Sequence, residues 1–83
     1  MQLAKFVKFR EEKFGGVLFE TKSEKVYTLT PTAAAVVQQI QAGCAPDDIA
    51  PRLAERFAST DGAIERDVTA FLAELRAKGL VEG

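Results

Sequence analysis

The first thirty residues consist of short apolar segments separated by breaks of glycine or polar residues. Three segments are rich in β-branched and aromatic side chains, at residues 6–10, 16–20 and 25–29. Gly15-Gly16 lies between the first two, and the polar stretch 21–24 lies between the last two. Because such runs bounded by turn-forming residues are typical of strands, the pattern predicts three antiparallel strands.

The third segment, Lys-Val-Tyr-Thr-Leu, alternates in a way that assigns its two faces. Successive side chains of a strand point to opposite sides of the sheet. Tyr27 and Leu29 therefore share one face, and Val26 and Thr28 share the other. We expect Tyr27 and Leu29 to face the core.

A first helix is predicted at about residues 31–42. Thr30 is a good N-terminal cap, and Pro31 suits the first helical position because the N–H that proline lacks has no helical partner there. Gly43 can end the helix in the left-handed conformation. Apolar residues follow the helical spacing at Ala33, Val36, Val37 and Ile40.

A second helix is predicted to begin at Pro46, followed by two aspartates that favour the positive end of its dipole. Ile49, Leu53 and Phe57 repeat every four residues. Pro51 would remove one backbone hydrogen bond inside this helix. We therefore expect a kink or an irregular first turn, with regular helix only from about Pro51 onward.

The third helix has the clearest apolar pattern in the chain. Asp61 or Thr60 is its candidate cap, and Gly79 is expected to end it. Leu80 and Val81 are expected to fold back onto the core after that glycine. The apolar stripe consists of Ile64, Val68, Phe71, Leu72 and Leu75.

Three strands followed by three helices within 83 residues predict an α+β fold in which the helices cover one face of a small sheet. A chain of this length has room for one core. We therefore expect a single domain spanning residues 1–83. The composition is 47% apolar and 28% charged, as in ordinary globular domains.

The residue types present argue against catalysis by this chain. Histidine is absent, and Cys44 is the only cysteine, so the commonest general base and the usual soft metal ligands are missing. Cys44 fits a packing role after a helix end better than a reactive thiol. We expect no cofactor and no metal. No apolar run is long enough to span a bilayer and no signal peptide is evident, so we expect a cytoplasmic protein.

Beyond these patterns, the sequence resembles the PqqD family, whose members recognise the precursor peptides of ribosomally made, enzymatically modified natural products. The resemblance is carried by three groups of residues: Lys25 to Thr30; Asp48, Ile49, Leu53 and Phe57; and Asp67, Phe71, Leu72, Leu75 and Lys78-Gly79-Leu80. The stretch from Val7 to Gly16 also resembles the start of members that work with radical S-adenosylmethionine enzymes, including the mycofactocin-type helper. The sequence departs from the family pattern at Thr30, where asparagine is frequent, and at Pro51.

The resemblance implies a winged helix-turn-helix fold that binds a leader peptide as an added strand beside the third strand and against the third helix. The peptide-binding residues expected on this basis are Lys25, Val26, Tyr27, Thr28, Leu29, Ala63, Asp67, Ala70, Phe71 and Glu74. Asp67 could instead have a structural role, bonding to nearby backbone or an arginine. Phe71 could serve the core, the groove wall or both. The implied partners are the precursor peptide and a radical S-adenosylmethionine or other modifying enzyme, without nucleic acid or membrane.

Three rival interpretations remain open. A winged helix can be a DNA-binding regulator that reads the major groove with its third helix. Residues 61–79, however, carry three basic and four acidic side chains, whereas phosphate binding favours a basic face. A small enzyme lacks a recognisable catalytic or phosphate-binding motif. A dimerisation module is compatible with peptide capture, so the protein could be a monomer or a homodimer.

Overall fold

The computed structural model describes residues 1–57 and 61–82. In chain order the elements are β1 (Gln2–Leu3), β2 (Val7–Glu12), β3 (Gly15–Glu20), β4 (Lys25–Leu29), α1 (Pro31–Gln41), α2 (Pro46–Arg56), α3 (Ala63–Ala77) and β5 (Val81–Glu82). The three predicted strands correspond to β2, β3 and β4, and all three predicted helices are present. The prediction of an α+β, winged helix-turn-helix fold is confirmed: a three-stranded antiparallel sheet is followed by three helices. The short strands β1 and β5, which pair with each other, were not predicted.

The main sheet is antiparallel, with β3 in the centre and β2 and β4 on either side. A two-residue turn joins β2 to β3, because Glu12 pairs with Gly15. Gly15 and Gly16 therefore both lie in β3. The prediction that Gly15 lies between two strands is wrong, whereas Gly16 begins the predicted segment 16–20. Residue 15 is glycine because the backbone of Leu29 and Thr30 comes close to it. A Cβ on Gly15 would lie 2.3 Å from the carbonyl oxygen of Leu29 and 2.6 Å from the carbonyl carbon of Thr30.

Gly15→Ala should lower the free energy of unfolding by about 2–4 kcal/mol, because the new methyl group meets backbone atoms that cannot rotate away. The φ of +141° at Gly15 adds to this cost. The matched control is Gly43→Ala, where φ is +86° but no atom lies within 4 Å of the added carbon. Urea denaturation should show a clearly larger loss for Gly15→Ala; equal losses would contradict the close approach.

Helix α1 begins and ends as its sequence predicts. The Thr30 hydroxyl oxygen accepts a hydrogen bond from the N–H of Ala33 at 3.2 Å, and Pro31 is the first helical residue. Gly43 has a positive φ, and the N–H of Cys44 donates to the carbonyl of Gln39 at 3.0 Å. This glycine-centred C-cap satisfies carbonyls that would otherwise be left unpaired. The start of α1 directly after β4 is consequently well fixed.

Helix α2 is continuous over Pro46–Arg56, so the prediction of regular helix only from Pro51 onward is wrong. Pro51 cannot donate to the carbonyl of Asp47, four residues earlier. Both residues are exposed, so water can pair with that carbonyl. Ile49 and Leu53 are fully buried, and their packing stabilises the helix against the loss of one bond.

Helix α3 is preceded by Gly62, whose φ is +77°. The N-cap is Gly62, which has no side chain to cap the helix, so the prediction of Asp61 as the cap is wrong by one position. The carboxylate of Asp61, the residue before the cap, accepts a hydrogen bond from the N–H of Ala63 at 3.0 Å. The other candidate, Thr60, lies outside the described residues. At the far end Gly79 has a φ of +69°, as predicted.

Leu80 and Val81 return to the core after α3. The N–H of Leu80 donates to the carbonyl of Leu75 at 3.0 Å, and the carbonyl of Leu80 accepts from Ala4 at 2.9 Å. Leu80 is buried and Val81 packs against the core from β5. The predicted fold-back is thus confirmed, and β1 supplies the partner strand that holds it.

The core lies between the helices and one face of the main sheet. On β4, Leu29 is buried and Tyr27 packs partly buried against the core, whereas Val26 is 58% exposed. The predicted alternation of the two faces is confirmed. Cys44 is buried with the core residues, as its packing interpretation requires. The largest fully buried side chains are Leu18, Ile40, Ile49, Leu53, Leu75, Leu80, Val36, Val37 and Val68.

Candidate functional site

Strand β4 is an edge of the sheet. It pairs with β3 on one side, and no strand of the described chain lies on its other side. An edge strand presents backbone N–H and C=O groups that an extended segment can pair with. The pairing register shows which residues carry those groups.

In an antiparallel pair, residues that bond directly to each other alternate with residues whose N–H and C=O point away. The N–H of Thr21 donates to the carbonyl of Phe6 at 2.9 Å, one step beyond the pair formed by Val7 and Glu20. That bond fixes the alternation along β3. Glu20, Leu18 and Gly16 therefore direct their backbone groups toward β4.

The corresponding partners on β4 are Lys25, Tyr27 and Leu29. The residues between them, Val26 and Thr28, direct their N–H and C=O groups toward the open edge. The site therefore offers two backbone donors and two backbone acceptors in one row, about 7 Å apart along the strand.

A groove runs beside this edge, between β4 and α3. It consists of three adjoining depressions with volumes of about 520, 100 and 450 Å³, and neighbouring depressions share lining residues. The first is lined by Thr28, Leu29, Thr30, Thr32, Ala33, Val36, Asp67, Ala70, Phe71 and Glu74. The second adds Leu18, Tyr27, Leu75, Lys78 and Leu80. The third adds Phe6, Glu20, Lys22, Ser23 and Lys25.

Most of the predicted site residues converge on this groove and its edge. The groove is lined by Lys25, Tyr27, Thr28, Leu29, Asp67, Ala70, Phe71 and Glu74. Val26 lies on the edge itself, with its side chain on the outer face of the sheet. Ala63 lies in the first turn of α3, one turn before Asp67, and does not line the groove.

Sequence reasoning missed the contribution of α1 and of the lysines near the start of β4. Thr30 and Thr32 line the groove because the chain turns from β4 directly into the first turn of α1. The Thr30-Pro31 cap signal marked that turn, but nothing in the sequence placed it beside α3. Lys22 and Lys78 were likewise not predicted.

Phe71 serves both roles proposed for it. Its ring is partly buried, packs against the core and also lines the groove. An aromatic ring held by the core forms a rigid apolar wall. Binding of a peptide side chain against it would therefore cost little conformational entropy of the ring. The two interpretations of Phe71 are therefore compatible.

Asp67 is exposed, and within residues 1–57 and 61–82 it forms no hydrogen bond or ion pair. The structural role predicted for it, a bond to nearby backbone or to an arginine, is thus not found there. Its carboxylate lies in the wall of the largest depression, where it can accept hydrogen bonds from a bound group.

The two ends of the groove differ in charge. The acidic end, which is the depression beside Leu29 and Thr30, contains Asp67 and Glu74 and no basic side chain. The basic end, which is the depression beside Lys25, contains Lys22, Lys25 and Lys78 and one acid, Glu20. Glu20 already accepts hydrogen bonds from the N–H groups of Lys22 and Ser23 and from the Ser23 hydroxyl.

An ion pair links the two ends of the groove. Lys78 Nζ lies 3.0 Å from a carboxylate oxygen of Glu74 and 5.9 Å from the centre of the Tyr27 ring. The pair neutralises most of the charge at the middle of the groove. Asp67 at the acidic end and Lys25 at the basic end form no ion pair with any described residue.

Other kinds of site find no support in the described residues. No group of three or more His, Cys, Asp or Glu side chains that could hold a metal ion occurs there. The groove face of α3 carries Asp67 and Glu74, which would repel DNA phosphates. None of the helices described is long and apolar enough to cross a membrane.

Two solved structures share the fold over nearly the whole chain. One is TbiB1 in complex with the TbiA(beta) leader peptide, with a TM-score of 0.84 and 22% identity, covering 100% of this chain and 96% of that one. The other is lasso peptide synthetase B1 complexed with the leader peptide, with a TM-score of 0.81 and 27% identity, covering 99% and 96%.

A third solved structure, Streptococcus suis SuiB bound to S-adenosylmethionine, is less similar. Its TM-score is 0.49 and its identity is 20%, and the match covers 93% of this chain and 21% of that one. Among curated proteins, none matches the chain in sequence.

Residues 15–81 match the family described as coenzyme PQQ synthesis protein D (PqqD). That match spans β3, β4 and all three helices, and hence both walls of the groove. The chain therefore belongs to the PqqD family.

Proposed function

We propose that this protein is a non-catalytic adaptor that captures the leader of a ribosomally made precursor peptide by strand addition and presents it to a modifying enzyme. The observation that carries the proposal is the open edge of β4, where Val26 and Thr28 direct unpaired backbone groups beside the groove along α3. Strand addition needs such an edge for affinity and adjoining pockets for specificity.

The energies show that the groove is as important as the edge. Four backbone hydrogen bonds at about 0.5–1.5 kcal/mol net each give about 2–6 kcal/mol. Ordering a flexible leader costs about 2–5 kcal/mol, and micromolar binding requires about 8 kcal/mol. About three or four apolar leader side chains, each contributing about 1.5–3 kcal/mol, must therefore enter the groove. Its apolar floor, which includes Leu29, Val36 and Phe71, can receive them.

Two structures that share this fold support the proposal, because each was solved with a leader peptide bound. The proposed enzyme partner is a radical S-adenosylmethionine enzyme, on the strength of the similarity carried by residues 7–16. We further propose that residues 1–83 act as one peptide-recognition domain, without a cofactor, in the cytoplasm where precursor peptides are synthesised. A homodimer formed through the β4 edge would compete with the leader for the same backbone groups.

Fluorescence anisotropy with synthetic peptides tests this function. The probes are the leader and core segments of candidate precursor peptides, chosen from short open reading frames near the gene for this protein. The leader should bind with micromolar affinity, and the core segment should bind at least tenfold more weakly because only the leader carries the recognised strand. Equal binding of the two, or sequence-selective binding of duplex DNA that falls steeply with salt, would refute the adaptor function.

A further inference from the structure

We propose that the groove selects its peptide by the order of charge along it: a basic side chain at the acidic end and an acidic side chain four residues later at the basic end. This inference rests on the proposed function and specifies the class of peptide recognised. Asp67 and Lys25 are the residues that determine the selection.

The acidic end is built to receive a cation. Asp67 is exposed, lines the largest depression and has no partner among the described residues. Thr30 and Thr32 line the same depression, and their hydroxyls can accept hydrogen bonds from an ammonium or guanidinium group. A lysine or arginine of the peptide would therefore find one unpaired charge and several polar acceptors.

The basic end is suited to a carboxylate. The side chain of Lys25 lies on the same face of β4 as Tyr27 and Leu29, toward the groove. Lys25 forms no ion pair with any described residue, whereas Lys78 is paired with Glu74 and Lys22 lies over the Phe6 ring at 4.7 Å. Lys25 is therefore the lysine most available for an acidic side chain of the peptide.

The strand geometry sets the spacing between the two charges. Lys25 and Leu29 are four residues apart, about 13 Å along a strand. Peptide side chains that point into the groove recur at every second residue, so the charges must be separated by an even number of positions. Antiparallel pairing is slightly more stable than parallel pairing, which places the basic residue before the acidic one.

The middle position should be apolar. The depression of about 100 Å³ between the two ends is lined by Leu18, Tyr27, Phe71 and Leu75, among others. It is the smallest of the three and lies next to the paired Glu74 and Lys78. The recognised segment therefore has five residues in this order: basic, any residue, apolar, any residue, acidic.

Selection from a library of displayed random 12-residue peptides against the intact protein tests this inference. Enriched peptides should share the basic–apolar–acidic order at this spacing. One of them, labelled with a fluorophore, then serves as the probe for variants. Asp67→Asn should weaken its binding about three- to fivefold, and Asp67→Lys or Lys25→Glu about tenfold, with the losses shrinking at high salt.

The decisive arm reverses both charges. The double variant Asp67→Lys, Lys25→Glu should prefer a peptide in which the basic and acidic residues are exchanged. Glu55→Lys, an equivalent change at an exposed position of α2, should leave binding unchanged. If the enriched peptides bind these variants with the same affinity as they bind the parent protein, the proposed charge selection is wrong. The proposed capture of a leader would not be affected by that result. Failure to enrich any peptide beyond the level of an unrelated protein would overturn both.

Discussion

Replacing Val26 with proline should weaken leader binding by about tenfold to a hundredfold. The N–H of Val26 points toward the open edge of β4, and proline has no N–H to donate. Removing the donor leaves a leader carbonyl unpaired, which costs about 1–3 kcal/mol. An edge strand tolerates proline where the missing donor faces solvent, so the fold should survive. Fluorescence anisotropy with the labelled leader measures the loss.

Three controls isolate the backbone effect. Val26→Ala shortens the side chain, which lies on the outer face of the sheet, to a methyl group and should change binding little. Arg56→Ala, at the exposed end of α2, should also have little effect. Circular dichroism must show that the Val26→Pro variant remains folded. A folded Val26→Pro protein that binds the leader as well as the parent does would rule out strand addition at this edge.

Replacing Phe71 with alanine should reduce both stability and binding. A buried phenylalanine truncated to alanine costs about 3–5 kcal/mol. Since one face of Phe71 lines the groove, we expect the lower end of that range. Urea denaturation measures this loss. Leader affinity, measured at a temperature where the variant is folded, should fall at least tenfold because an apolar wall of the groove is lost.

Phe71→Leu separates the two effects. Leucine fills most of the same space and should recover most of the stability, but it lacks the flat ring that faces the groove. We therefore expect near-parent stability with binding still weakened severalfold. If Phe71→Ala lost stability but kept the parent's affinity for the leader, Phe71 would be a core residue alone.

The sequence predicted the elements well because their signals are local. The cap at Thr30, the stop at Gly79 and the alternation along β4 each depend on neighbouring residues, and the structure has all three. The errors at Gly15 and Pro51 have a different origin. Gly15 is required by backbone distant in sequence, and Pro51 is tolerated because of burial elsewhere on α2.

The candidate site was predictable only in part for a similar reason. The residues of β4 and α3 could be proposed from the resemblance, but the outward direction of the Val26 and Thr28 backbone groups depends on the pairing register. The role of Thr32 depends on how α1 packs beside α3. Asp67 could not be assigned from sequence, because its lack of a partner among residues 1–57 and 61–82 is a property of the folded chain.

An NMR titration of isotope-labelled protein with the leader peptide tests strand addition at β4 most directly. Amide shifts should concentrate at residues 25–29 and 63–74, and helix α2 should remain nearly unchanged. Nuclear Overhauser contacts should connect leader backbone protons to the amides of Val26 and Thr28, and those two amides should become protected from solvent exchange. Shifts gathered on α2, or amides of Val26 and Thr28 that still exchange freely in the saturated complex, would contradict strand addition at this edge.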